Sequence, residues 1–321
     1  MAENEPLPTL REALENWLGV KLPTVALPQT VKNLDKAIAK IVLAGGENLE
    51  AKIRGSTAKI KAGSKIDIEG MFRTEDEKRK LENRAAATIA AIQDIEANPA
   101  ESDASAEIDD DWLNLFARLA EDKSSEELQR LFGRILAGEV RRPGSFALRT
   151  IHLMATVSKT DAEAISVFLS YAINEVIVPF RSSEDLRPTL DVRLLMEELT
   201  IAGHPVRFGG MGRKWRVGPN VDLLLSAVQS GILIQNRSIK EFEFSITGQI
   251  LSQSAQELIP IAYLAPTEFE FLKEVAANIH TLIKGSHKNE MDAGLIAVHV
   301  VTTTPSGPDA VNYNIVFTVP N

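Results

Sequence analysis

Residues 124–149, SSEELQRLFGRILAGEVRRPGSFALR, decide how the chain is read. Leu128, Leu131, Phe132, Ile135 and Leu136 recur at helical spacing and form one apolar stripe that stops near Gly138. Ser124 followed by Glu127 has the form of a capping box at its start. Pro143-Gly144-Ser145 then turns the chain, and Ser145 is placed to cap a helix carrying Leu148, Ile151 and Ala155. Downstream, Thr160 and Glu163 repeat the box ahead of Ile165, Phe168, Leu169 and Ala172; upstream, Trp112 and Phe116 sit one turn apart on another helix. Residues 112–173 therefore read as a helical core, a bundle of about four helices stabilised by its buried stripes.

Upstream of that core, residues 98–111 hold Pro99 and the acids Glu101, Asp103, Glu107, Asp109, Asp110 and Asp111 with no basic residue, and read as an acidic linker. Residues 31–97 are a basic amphipathic helical region. Val31, Leu34, Ile38 and Ile41 line one face and Lys32, Lys36 and Lys40 the other; the pattern resumes after Gly45-Gly46 with Ile53 and Ile60 beside Lys52, Arg54, Lys59 and Lys61. Such a face can pack on its own domain, on a protein partner or on an anionic membrane surface. Glu75–Ala97 continues as an alanine-rich helix suited to a helical hairpin or a coiled-coil association. Residues 1–30 are a proline-flanked arm with one short helix, Leu10–Leu18, anchored by Trp17.

After the core, residues 174–321 read as an α+β unit, so the fold class is mainly α with a C-terminal α+β part carrying winged-helix-like hairpins. Glu175–Phe180 reads as a strand, Asp191–Ala202 as a helix ended by Gly203, Val206–Val217 as a hairpin turning at Gly209-Gly210-Met211-Gly212, and Asn220–Gln229 as a second helix. Ile232–Gln235 and Glu241–Ile246 follow as a short hairpin. Thr267 and Glu270 cap a helix through Phe271, Leu272, Val275 and Ile279, and two β runs, Leu295–Val301 and Tyr313–Val319, close the chain.

Composition narrows the chemistry. The 321 residues are 44% hydrophobic and 25% charged, which excludes wholesale disorder. Lys plus Arg total 35 against 44 for Asp plus Glu, a net charge of -9, so the whole molecule is no polyanion binder. The chain has no cysteine, which removes thiolate chemistry and disulfides. No apolar run approaches membrane-spanning length and the start is acidic, so a cytoplasmic protein is expected, peripheral to the inner membrane if residues 31–97 meet lipid. Phosphate-binding, nucleophile-elbow, His-Glu-x-x-His and dinucleotide motifs are all missing. His280, His287, Glu290 and Asp292 match no ligand spacing, and Asp109-Asp110-Asp111 reads as helix capping, so no catalytic, cofactor-binding or metal-binding residue is assigned. His152 and His299 read as half-buried, hydrogen-bonded histidines. One patch carries a binding reading: Arg207, Arg213, Lys214, Trp215 and Arg216, with Phe208, interleave bases with aromatics as nucleic-acid contact requires.

The run Ile108-Asp109-Asp110-Asp111-Trp112, Phe116, Ala120-Glu121-Asp122, Ser125-Glu126-Glu127-Leu128-Gln129, Leu131 to Val140, Arg142-Pro143-Gly144-Ser145-Phe146 and Leu148-Arg149-Thr150 resembles an uncharacterised bacterial domain-of-unknown-function family with members on bacterial and prophage genomes. The layout of charged N-terminal helices, helical core and small C-terminal unit is similar to that of abortive-infection alpha proteins linked to phage defence. Physically the motif reads as architecture: Gly133 and Gly138 let helices approach, Pro143-Gly144 turns the chain, and Arg134, Arg141, Arg142 and Arg149 face Glu126, Glu127 and Glu139. The structural set is Asp110, Trp112, Phe116, Glu127, Phe132, Gly133, Gly138, Glu139, Pro143, Gly144 and Arg149, with Arg149 expected to be needed for folding. The expected function is a non-enzymatic, homo-oligomeric interaction or assembly protein in phage defence, the alternative a nucleic-acid-binding regulator using residues 206–217.

Overall fold

Short polar side chains set the helix starts. Thr74, Asp109, Ser125, Thr189 and Ser252 each accept a hydrogen bond from an amide in the first turn of the helix that follows. The computed structural model describes residues 15, 16, 18–22, 27–42, 44, 74–180, 188–203, 211–305 and 311–320. Trp17, the basic run 45–71 with Ile53 and Ile60, Arg207, Phe208 and Gly209-Gly210 lie outside the described residues. By packing, the chain divides into two units, 1–159 and 160–321.

The first unit is helical: α1 (Pro28–Val42), α2 (Glu75–Ala97), α3 (Asp110–Ala120), α4 (Glu126–Arg141) and α5 (Leu148–Thr156). Its main seam joins α2 to α4, and α1 packs against α2, α3 and α4. Leu34, Ala37, Ile38, Ile41 and Val42 of α1 are 2% exposed or less, so the apolar stripe of that helix faces its own domain. Trp112 stacks on Phe116 (centroids 5.2 Å apart), which meets Phe132 at 5.5 Å. The acidic stretch read as a linker runs along α1 inside this unit. Asp103 accepts the amides of Gln29 and Thr30 at 3.0 and 2.9 Å, and Asn33 Nδ2 donates to the Ala106 carbonyl at 2.9 Å.

Three caps differ from the sequence reading. Ser125, not Ser124, caps α4, while Ser124 Oγ accepts from Asn83 Nδ2. The first residue of α6 (Lys159–Leu169) precedes Thr160, and α5 starts after Ala147 without a side-chain cap, because Ser145 Oγ donates to the Arg142 carbonyl at 2.6 Å. Ser145 thus spends its hydroxyl on a local carbonyl, and Ser124 on a side chain from α2, instead of on helix amides.

The second unit adds β1 (Ile177–Pro179), α7 (Leu190–Glu198), β2 (Met211–Val217), β3 (Asp222–Ala227), β4 (Ser230–Asn236), β5 (Phe242–Ile250), α8 (Gln253–Leu258), α9 (Phe269–Asp292), β6 (Ile296–Pro305) and β7 (Val311–Thr318). The strands form two antiparallel sheets, ordered β1-β5-β2 and β3-β4-β6-β7, and α9 packs on β6, β5 and β4. A mainly α chain with a C-terminal α+β part is what the structure shows.

Within that part several readings are corrected. The stretch Asn220–Gln229 holds strand β3, not a helix: Asn220 and Gln229, on either side of it, take φ of 55° and 56°, and Leu223-Leu224-Leu225 pair with Ile232-Leu233-Ile234. β4 does not pair with β5. Asn236 Nδ2 donates to the carbonyls of Gly218 and Lys240, both at 2.8 Å, and turns the chain from one sheet into the other. β2 pairs with β5 along 211–217, so Trp215 lies opposite Phe244 rather than in a self-contained wing. α7 ends at Glu198, where Thr200 (φ 56°) reverses the chain before Gly203 is reached. Thr267 does not cap α9; its Oγ1 donates to the Ser170 carbonyl at 2.7 Å and accepts the Val228 amide at 3.0 Å. The β6–β7 hairpin follows the sequence reading, with a register shift at Val300/Val301.

Candidate functional site

The charged motif is consumed by structure. Asp109 Oδ1 caps α3 through the Trp112 amide at 2.9 Å, and Asp110 pairs with Lys36 at 3.0 Å and Lys40 at 3.7 Å. The Lys36 hydrogen bond, with both lysine charges, holds the Asp110 carboxyl below its usual range. Glu139 is 2% exposed and accepts the amides of Gly144 and Phe146 at 2.6 and 3.1 Å, which fixes the Pro143-Gly144 turn against α4. Trp112 Nε1 donates to the Phe146 carbonyl at 2.8 Å. A Cβ on Gly133 would lie 2.5 Å from that of Ala90, and one on Gly138 would lie 2.6 Å from the Phe146 ring.

The arginine pairing differs from expectation. Arg141 pairs with Asp94 and Arg134 approaches the same carboxylate at 3.9 Å; Glu126 pairs with Arg130, and Glu127 with Lys159 at 2.8 Å. Arg142 and Arg149 are exposed. Arg–carboxylate pairs do tie helices together, through residues the motif reading passed over. Arg84 on α2 meets Glu121, just after α3, at 3.4 Å, with side chains 7% and 21% exposed. Burial lowers the Arg84 pKa, Glu121 opposes it, and the Nε atoms of Arg84 and Arg141 are buried without a hydrogen bond.

Strand β2 holds the described part of the basic-aromatic patch. Trp215 stacks on Phe244 (5.9 Å, 17°) on the face shared with Val217 and Phe242, and Arg213 follows the same alternation. Lys214 and Arg216 point to the other face, where Arg216 donates through Nε and Nη2 to Glu243 at 2.9 and 2.7 Å. That hydrogen bond, with the charge of Glu241 adding to it, raises the Arg216 pKa and neutralises one of the three cations. The structure thus splits the patch across two faces.

A polar line across β3, β4, β6 and β7 was not foreseen beyond a hydrogen-bonded His299. Arg237 donates through both Nη atoms to Asp222, and Gln235 Nε2 donates to Asp222 Oδ2 at 3.3 Å. That leaves Gln235 Oε1 to accept from His299 Nε2 at 3.2 Å, so Nδ1 accepts from the Thr318 hydroxyl at 2.8 Å. Burial lowers the His299 pKa, with Asp222 in opposition, a shift in the direction of the neutral ring. The line rivets the end of β7 to its sheet. No pattern marks it in sequence, because its members come from four strands and a loop.

The other candidates do not converge. Glu290 pairs with Lys240 at 2.6 Å and Asp292 with Lys284 at 3.4 Å, His287 meets Ser286 and the Phe242 ring, and His280 is buried. His152 is exposed rather than half-buried. Among the described residues no group of three or more His, Asp or Glu side chains could hold a metal ion, and no helix is long and apolar enough to cross a membrane. No curated protein and no solved structure matches the chain. Residues 72–179, about a third of the chain and most of the charged motif's setting, match a family described as "Protein of unknown function (DUF2806)".

Proposed function

We propose that the chain is a non-enzymatic assembly protein that works as a homo-oligomer, with the helical unit as its rigid body. One observation carries this reading: Asp109, Asp110, Glu127 and Glu139 are each engaged in a cap, a backbone clamp or an ion pair between elements. A motif so committed specifies shape, and shape serves association. The apolar stripe of α1 is buried in its own domain, so the described part of 31–97 offers that stripe neither to lipid nor to a partner. Light scattering of the full chain tests the reading: a mass above one chain is expected, and a monomer at every concentration overturns it.

As biological setting we place the assembly in bacterial phage defence, supported by the layout similar to abortive-infection alpha proteins. Equal plating of a phage panel on cells with and without the gene removes that setting. The nucleic-acid alternative rests on Arg213, Lys214 and Arg216 being exposed on one strand. A mobility shift at low salt that disappears on replacing Arg213 and Lys214 would favour it.

A further inference from the structure

The two sheets have four edges, and three of them are guarded. β1 is three residues long and buried. β2 presents Arg213, Lys214 and Arg216. At β3, Asn174 donates its amide to the Ser226 carbonyl at 2.8 Å and accepts the Ser226 amide through Oδ1 at 2.6 Å, covering that end of the edge, while Asp222 sets a charge at the other. Short strands, cations and covering groups are the devices by which soluble proteins stop strand-to-strand association.

β7 has none of these. It runs eight residues with no charge and no proline, and its one irregularity is the register shift against β6. Tyr313, Ile315 and Val316 are 40%, 48% and 48% exposed. Among the described residues, the backbone of 312–318 makes no bond beyond its ladder with β6. The composition around it is as unusual: residues 295–321 hold one charged residue, Asp309, in a chain that is 25% charged. Phe317 is packed from behind by Phe269 (6.4 Å) and Lys273 (5.4 Å), and Thr318 is held by His299, so the strand is fixed on one side and, among the described residues, uncovered on the other.

Resting on the assembly reading above, we propose that β7 pairs antiparallel with β7 of a second copy of this chain, joining two four-stranded sheets into one of eight strands. The occupant follows from charge. Copies of net charge -9 repel, and an uncharged strand is where that repulsion costs least and where self-pairing opposes no like charges. A two-fold axis at Ile315 sets Ile315 opposite its own copy, Val316 opposite Asn314 and Tyr313 opposite Phe317. Such a contact is isologous and closed, and the guarded β3 edge stops growth at two.

The test is mass against dilution for the full chain and for Ile315→Lys, with far-UV circular dichroism as the folding control. Expected is twice 35.1 kDa for the parent and 35.1 kDa for a folded variant. A second measurement stands if Ile315→Lys fails to fold. Because the chain has no cysteine, single cysteines at Asn314, Ile315 and Val316 report contact directly: paired strands place opposed Cα atoms about 4.5–5.5 Å apart, within disulfide reach. Oxidation to a covalent dimer at one of these positions, and none at Cys substituted for Leu190, is the expected result. An oligomer that survives Ile315→Lys and does not cross-link through β7 overturns the strand pairing and leaves the assembly reading standing; a monomeric parent overturns both.

Discussion

At Gly133 a methyl group has nowhere to go: beyond the Ala90 Cβ it would meet the Ala90 carbonyl carbon and the Ala91 amide nitrogen, each at 2.9 Å. Gly133→Ala is therefore expected to cost about 1–3 kcal/mol or more, read from a denaturant midpoint, and Ala90→Gly should not restore it because backbone remains in the way. Gly138→Ala collides with a side chain instead, so Phe146→Leu should recover part of its loss. Charge makes a second test. Glu121→Ala strands the Arg84 guanidinium, 93% of whose side chain is covered (7% exposed), and should cost about 3 kcal/mol, whereas Arg84→Met, which removes the buried charge itself, should cost under about 1 kcal/mol. Lys80, 3.4 Å from Glu121, keeps that carboxylate partnered in the second variant. His299 supplies a pH signature. Its folded pKa lies below the ordinary 6.5, so the unfolded chain binds the proton first, and stability present above pH 6.5 is lost as pH falls toward the folded value. Thermal midpoints of the parent should drop across that window, and those of His299→Gln should not.

Among the elements, the β3–β4 hairpin is the one most at odds with its local sequence. Its turn is Val228-Gln229, with Gln229 at φ 56°, a conformation that costs a residue with a Cβ about 1 kcal/mol and glycine nothing. Gln229→Gly should raise the midpoint of the C-terminal unit by a corresponding amount. This is also why the strand was illegible: Val221-Asp222-Leu223-Leu224-Leu225 has neither alternation nor a turn signal after it, and only pairing with β4 settles the choice. The helices were legible because their stripes and caps are local, as Leu128 to Leu136 shows, although the capping serine was displaced by one residue. The candidate sites were least legible. The acids of 98–111 have a linker's composition although Asp103 clamps the start of α1, and Arg149, grouped by its charge with the bundle's acids, is exposed. Asp103 gives its own test. The Gln29 amide, followed by Thr30, holds its pKa below the usual 3.8, so its stabilising effect is full above that pH and fades as pH falls through the folded value. Asp103→Asn should lower the neutral-pH midpoint and converge with the parent in strong acid.

For the whole molecule, each unit has its own core, one centred on Phe116 and Phe132, the other on Phe271 and the strands around Val298. Fragments 1–159 and 160–321 are expected to give separate cooperative melts, and the second alone should keep the self-association assigned to β7. Where a fragment is cut matters more than its length. The family match begins at residue 72, yet Leu34, Ile38 and Ile41, at 2% exposure or less, belong to the interior that Phe132 and Ile92 complete. A truncation drawn at the family's border would open a greasy trench along the helical body, and such a piece would precipitate or recruit whatever hydrophobe it met, a stickiness made by the cut itself.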